Sequence, residues 1–453
     1  MDSTAPAAPV AAPTEQTAPD PRTVRRAALA GLVGTALEQY DFVIYGTASA
    51  LIFSQLFFAG SSPAVGVLAS FGTYAVGFAA RPLGGLFFSR YGDRLGRKWV
   101  LVATLLLMGG STLAIGLLPT YDQAGAFAPA LLVLCRMAQG FGAGAEQSGG
   151  STLLTETARK GHRGVFAAMV MTGAALGTAL GAAAWALVQL LPEDDLMTWG
   201  WRVVFASSLL VTGGALIIRR KLNESPVFEE LKAQQAKPAS PVGEVLRGGR
   251  RPLLLVMFMS LGVSSQSYTY QVFMASYLIT TIGVDPALVP QVLLIGALCG
   301  GVAALCTGRL SDRFGRRPVS TAIMSALIVL PAPCFIALST GSTTAVVVVM
   351  VLGFVFAAHG AVGVQMSYFP EMFGARYRYA GVTLGREFSS VLGGGVAPLI
   401  CAGLVTAFSG SWIPVAVYMM LMGLISLIAV RLSPETVDRD LTDPADATAQ
   451  VRE

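Results

Sequence analysis

Glu38, Asp41 and Tyr45 stand at i, i+3 and i+7 within a mainly apolar stretch, so on a helix all three share one face. Counted from Arg26, Glu38 lies about 18 Å along such a helix. If the stretch crosses a bilayer, both carboxylates sit near its centre, where an ionisable group is costly unless paired or hydrated. Three tasks fit them: carrying a proton, binding a substrate, or pairing with a buried arginine.

The arginines within apolar stretches are Arg81, which precedes Pro82, then Arg136, Arg202 and Arg386. Glu146 lies about 15 Å beyond Arg136 along one helix, so those two cannot pair with each other. Their partners must come from elsewhere, with Glu38 and Asp41 the candidates, and Arg136 is the first choice of arginine for a carboxylate that carries the proton. Arg386 and Glu387 point about 100° apart and are expected to have separate partners. A guanidinium left over, at Arg81, Arg136 or Arg386, would grip an anionic substrate through its planar fork. Against that, Glu38, Asp41, Glu146 and Glu387 could neutralise all three arginines and leave a site for a zwitterion or cation. Gln266, Tyr270, Phe273 and Tyr277 form one helical stripe that either packs or offers amide and phenol groups to a cavity. His359 is either a packing histidine or a proton relay.

The elements that must hold these residues are membrane helices. Of 453 residues 54% are hydrophobic and only 13% charged, about half the charge of a soluble globular chain. Stretches long enough to span a bilayer fall at 27–54, 64–89, 99–118, 128–153, 164–190 and 201–218, then at 252–280, 288–309, 319–339, 344–369, 380–406 and 412–430. The expected fold is an all-α membrane protein of twelve transmembrane helices in two six-helix bundles. Residues 25–220 and 251–432 make the bundles, 221–250 a cytoplasmic linker, and 1–24 and 433–453 cytoplasmic tails, the first disordered.

Placing alternate loops in the cytoplasm leaves only Arg81, Arg136, Arg202 and Arg386, of 31 Lys and Arg, outside that side. The positive-inside rule then puts both termini in the cytoplasm of a cell whose plasma membrane holds the chain. Glu193-Asp194-Asp195 falls in an opposite loop. The five cysteines lie in apolar segments without metal-ligand spacing and there are only two histidines, so no metal or other cofactor is expected. No nucleotide loop or nucleophile motif points to an enzyme, and no basic, aromatic-interleaved patch points to nucleic acid. The C-terminal tail has no heptad run for a coiled coil.

The halves repeat. Tyr91–Lys98, YGDRLGRK, recurs as Leu310–Arg317, LSDRFGRR, and Glu156 with Arg163 recurs as Glu371 with Arg378. Each first pair reads as a tight turn between spans, with Gly96 or Gly315 allowing the reversal. Asp93 or Asp312 would face a helix N-terminus or a guanidinium. Arg94, Arg97, Arg313 and Arg316 would hold the turns at the cytoplasmic face as gates. Gly164, Gly173, Gly177 and Gly181 allow close helix approach. Parallel six-helix repeats mark transporters whose substrate sits between the halves at mid-membrane.

The doubled loop resembles the motif that joins helices 2 and 3, and again 8 and 9, in the major facilitator superfamily. The second copy matches fully from Gly308, and in the first Ser89 takes the leading Gly position. Within that superfamily the chain resembles the metabolite:proton symporter branch, whose members carry citrate, 2-oxoglutarate, shikimate, aromatic acids, and proline or betaine. The branch has Glu-Trp-Tyr-Asp-Phe and Tyr-Gly in helix 1; here Glu38-Gln39-Tyr40-Asp41-Phe42 and Tyr45-Gly46 match apart from Gln39. Arg81-Pro82-Leu83-Gly84, Trp199-Gly200-Trp201-Arg202 and Glu224-Ser225-Pro226-Phe228 also match.

The resemblance implies proton-coupled symport of a small polar metabolite, with a carboxylate the first expectation. A proline/betaine-type solute, or export of a secondary metabolite or drug, is the alternative. Glu38, Asp41, Arg136 and Glu146 are the expected proton-coupling residues; Arg81, Arg136, Tyr45, Gln266, Tyr270 and Arg386 the expected substrate-binding ones. The expected partners are substrate, protons and lipid, with the protein a monomer.

Overall fold

The computed structural model describes residues 21–95, 97–144, 152, 154–156, 158–220, 241–375 and 377–449. Among these, twelve long helical segments follow one another. The first six are α1 Pro21–Leu51, α2 Pro63–Leu95, α3 Arg97–Gly116, α4 Phe127–Ala143, α5 Arg163–Val188 and α6 Glu193–Ile217. The second six are α7 (250–282), α8 Leu288–Phe314, α9 (316–338), α10 Thr343–Met372, α11 Arg378–Ala407 and α12 Ile413–Leu432. Most of the expected linker, 221–240, and Glu146 lie outside the described residues.

Seven of these segments are long and apolar enough to cross a membrane, and α9 makes an eighth if its two parts, bent by 41° at Pro331, count as one span. A proline that cannot donate an N–H accounts for that bend. Among the described residues, α3 and α4 contribute the shorter apolar helices Val102–Gly116 and Phe127–Ala143. Pro82 lies inside α2 without ending it. Large apolar side chains such as Leu134, Leu187, Leu210 and Val302 face outward while Glu38, Asp41, Arg81 and Arg136 are buried, the arrangement that suits lipid rather than water as solvent.

The sequence repeat is also a repeat of packing. In the first half α1 packs on α5, α2 on α4 and α3 on α6; in the second α7 packs on α11, α8 on α10 and α9 on α12. Two seams, α5 on α8 and α2 on α11, join the halves, and the same exchange of halves relates one seam to the other. The α5–α8 seam is the more extensive. It closes on glycine: a Cβ on Gly164 would stand 2.3 Å from the Gly308 carbonyl oxygen, so any side chain there would force the halves apart.

Arg202, at the start of α6, donates from Nη1 to the carbonyls of Gly116 (2.8 Å) and Leu118 (2.7 Å). It thereby satisfies orphan acceptors at the C-terminus of α3, where a cation also complements the helix dipole.

Candidate functional site

Arg81 reaches from α2 to α11, where its Nε and Nη2 donate to the two Glu387 oxygens at 2.9 and 3.2 Å. Its Nη1 stands 2.8 Å from Glu38 Oε1 on α1. That contact is out of line for a hydrogen bond, and neither Glu38 oxygen accepts one among the described residues. One buried guanidinium thus serves two carboxylates from opposite halves, holding one by a fork and the other by charge alone.

Arg136 does not pair with either acid of α1, contrary to the expectation from sequence. Its guanidinium lies 4.1 Å from the ring centroid of Tyr45, 4.5 Å from Phe42 and 4.8 Å from Tyr74. Its Nη1 donates to Gln139 Oε1, and Gln139 Nε2 donates to Thr112 Oγ1 at 2.7 Å. An aromatic cage of this kind attracts a desolvated cation by about 2 kcal/mol. Asp41 lies beside Thr112, Gln139 and Arg136. Neither of its oxygens has a hydrogen-bond partner among the described residues, and the side chain is fully buried. The shared face of Glu38, Asp41 and Tyr45 is real, and it meets Arg81 at one level and the Arg136 cage at the next.

A cavity of about 60 Å³ lies between the halves at the level of Arg81. Gln39 from α1, Arg81 from α2, Tyr268 from α7, Gln365 from α10, and Arg386 and Glu387 from α11 are in its wall. Arg386 Nη1 is 3.6 Å from Met366 Sδ, while the Glu387 carboxylate is forked onto Arg81.

Four expected substrate-binding residues, Arg136, Tyr45, Gln266 and Tyr270, lie off this cavity. The Tyr45 hydroxyl is hydrogen-bonded to Thr73 Oγ1 at 2.7 Å and its ring belongs to the Arg136 cage. Gln266 Nε2 donates to the carbonyls of Leu327 and Met419, each at 2.8 Å, tying α7 to α9 and α12. Tyr270 packs against Gly353 inside the second bundle. The cavity instead meets Ser260, Ser264, Ser267 and Tyr268. Their spacing is equally helical, so sequence held two candidate faces of α7 and the aromatic one drew the choice. His359 stacks on Phe354, with ring centroids 5.6 Å apart, and lies outside the cavity wall.

The turn between α8 and α9 is a second charged centre. Gly315 adopts φ +98°, the conformation foreseen for it. Asp312 accepts the N–H of Gly164 at 2.7 Å and of Val165 at 2.9 Å, so a carboxylate of the second half caps the N-terminus of α5 in the first. Arg316 joins Asp312 at 2.8 Å and forks onto Glu371, both bonds 3.0 Å. Arg313 points outward over Phe314. The side chains of Asp93, Arg94 and Arg97 in the first copy lie outside the described ones, although the backbone there belongs to α2 and α3.

Residues 433–449, expected to be a plain tail, form a strap over this end. Glu435 accepts the N–H groups of Arg316 and Arg317 at 2.8 and 2.9 Å, capping α9. Thr436 donates to Glu371 at 2.7 Å, and Asp446 accepts the Gly374 N–H and the Tyr377 hydroxyl. The strap reaches the first half as well: Arg163 Nη1 donates to the Arg439 carbonyl at 2.6 Å, and Lys160 lies 3.7 Å from Asp438. Beside it Arg378 bridges to Glu156 at 2.6 Å, so the repeated Glu and Arg pairs meet across the halves. Hydrogen bonds from the Thr442 N–H and hydroxyl hold the Asp440 carboxyl below the usual range.

The Major Facilitator Superfamily model matches residues 31–386. The shikimate transporter of Escherichia coli (strain K12) is 39% identical over 91% of this chain and 95% of its own length. The proline/betaine transporter of the same strain is 32% identical over 96% and 88%. In fold the chain is similar to the xylose transporter XylE from E. coli in its partially occluded, inward-open conformation. The TM-score is 0.67 at 17% identity, covering 93% of this chain and 100% of that one. The chain is a multi-pass membrane transporter and not an enzyme. The twin bundles, the repeated turn and these relatives together make it a member of the Major Facilitator Superfamily, beside the metabolite transporters that include those for shikimate and proline/betaine.

Proposed function

We propose that the chain is a proton-coupled symporter of a small carboxylate, working by alternating access across the plasma membrane, with the α8–α9 turn on the cytoplasmic side. The observation that carries this reading is Arg81, held between Glu38 of one half and Glu387 of the other at the cavity wall. The Glu38 contact, lacking an aligned hydrogen bond, is the weaker one. A substrate carboxylate can replace it with a fork of its own, provided that a negative charge is removed nearby.

A proton supplies that removal. Asp41, fully buried and without an aligned hydrogen bond among the described residues, has only Thr112, Arg136 and Gln139 beside it to compensate a negative charge. We assign it the transported proton. Movement of α1 against α4 during the cycle changes its distance from Arg136 and thus its hold on the proton. Glu38 then responds to the same motion one helical turn away.

The cytoplasmic assignment rests on the distribution of basic residues. Purified protein in vesicles, given an imposed pH gradient and a panel of labelled carboxylates and betaines, tests the whole reading. Accumulation of a carboxylate that collapses with the gradient is expected. Gradient-driven accumulation of betaines alone would give the zwitterion reading, and no response to the gradient would remove proton coupling.

A further inference from the structure

We propose that Gln39 and Gln365 read a hydroxyl group on the substrate, which makes the transported class a hydroxylated carboxylate. This rests on the symport reading above and adds the chemistry of the end of the site away from the arginines. Gln39 is 6% exposed, lines the cavity and has no hydrogen bond to any described residue. Gln365, in the same cavity wall but from the other half, spends Nε2 on the Met259 carbonyl at 3.2 Å, which leaves Oε1 without a described partner. Ser267, also in the wall, accepts from Gln271 Nε2 at 2.8 Å and so has its O–H left to donate.

This wall therefore presents both kinds of group: amide N–H and hydroxyl donors, and two amide oxygen acceptors. A carboxylate satisfies only donors, an ammonium group only acceptors, and a quaternary ammonium neither. A hydroxyl satisfies both at once. Buried amides left unpaired are costly, so a site built this way rejects the analogue that lacks the hydroxyl. Because the two glutamines belong to opposite halves, they converge on one hydroxyl only when the halves close. The cavity, about 60 Å³, holds no more than a few waters, so the halves must separate to load such a substrate.

The test uses full-length protein in liposomes with an internal pH dye, supplied with matched pairs: malate against succinate, glycerate against propanoate, quinate against cyclohexanecarboxylate, with serine and glycine betaine alongside. The hydroxylated member of at least one pair should drive proton entry on the order of tenfold faster than its partner or more, the discrimination expected of a polar group read by buried partners. Gln39→Leu and Gln365→Met should each narrow that ratio to about threefold or less while the deoxy acid is still carried. Melting of each variant in detergent separates lost recognition from lost folding. Equal rates within every pair, or a preference for glycine betaine over all hydroxy acids, would overturn the proposal and leave symport standing. Proton entry with none of the acids would overturn the symport reading itself.

Discussion

Asp41 and Glu38 are neighbours on one face of α1 yet meet different surroundings, and their variants should differ accordingly. Asp41→Asn cannot take up and release a proton, so gradient-driven accumulation should vanish while substrate exchange between compartments of equal pH persists. Vesicle uptake and counterflow measure the two activities separately. Full accumulation by that variant would transfer the proton to Glu38 or Glu146. Arg81→Gln leaves Glu38 and Glu387 buried without their cation, a loss of about 3–5 kcal/mol for a broken buried pair. It should lower the melting temperature in detergent and abolish both activities. A variant that melts like the native protein would mean that these carboxylates are already neutral.

Among the helices, α5 and α8 form the main seam between the halves, and Asp312 secures it by capping the first turn of α5. Asp312→Asn keeps the shape but removes the charge that the α5 dipole and Arg316 both favour. That end of the molecule should then open more often, by about 1–3 kcal/mol, the usual size of a coupling between conformations. Faster maleimide labelling of a reporter cysteine in the seam is the expected sign. Labelling at the native rate would reduce the repeated loop to a mark of topology.

For the molecule as a whole, the strap 433–449 ties the halves together at the α8–α9 end, since it caps α9, bonds to Glu371 and reaches Arg163 in the other half. Truncation after Leu432 should raise reporter labelling at that end and slow the return to the closed form, seen as a lower rate of uptake with little change in apparent substrate affinity. Unchanged labelling would show the strap to be a passive cover. If that end is cytoplasmic, a cysteine at position 194 should react with an impermeant reagent added outside whole cells and one at position 438 should not.

What the residues settled alone follows from short-range rules. Hydropathy and bilayer thickness set the spans, the recurrence of Asp312 in the repeat of Asp93 announced two halves, and the spacing of Glu38, Asp41 and Tyr45 fixed their common face, because helix geometry turns sequence distance into direction. Partners are another matter. Arg81 lies 306 residues from Glu387, and no periodicity ranks one buried arginine against another for a given carboxylate. Arg136 went to an aromatic cage because Phe42, Tyr45 and Tyr74 converge only when α1, α2 and α4 pack. The choice between the two polar faces of α7, and the folding back of residues 433–449, were likewise decided by tertiary packing: each face and each carboxylate was locally equivalent, and only the neighbours across the bundle made them differ.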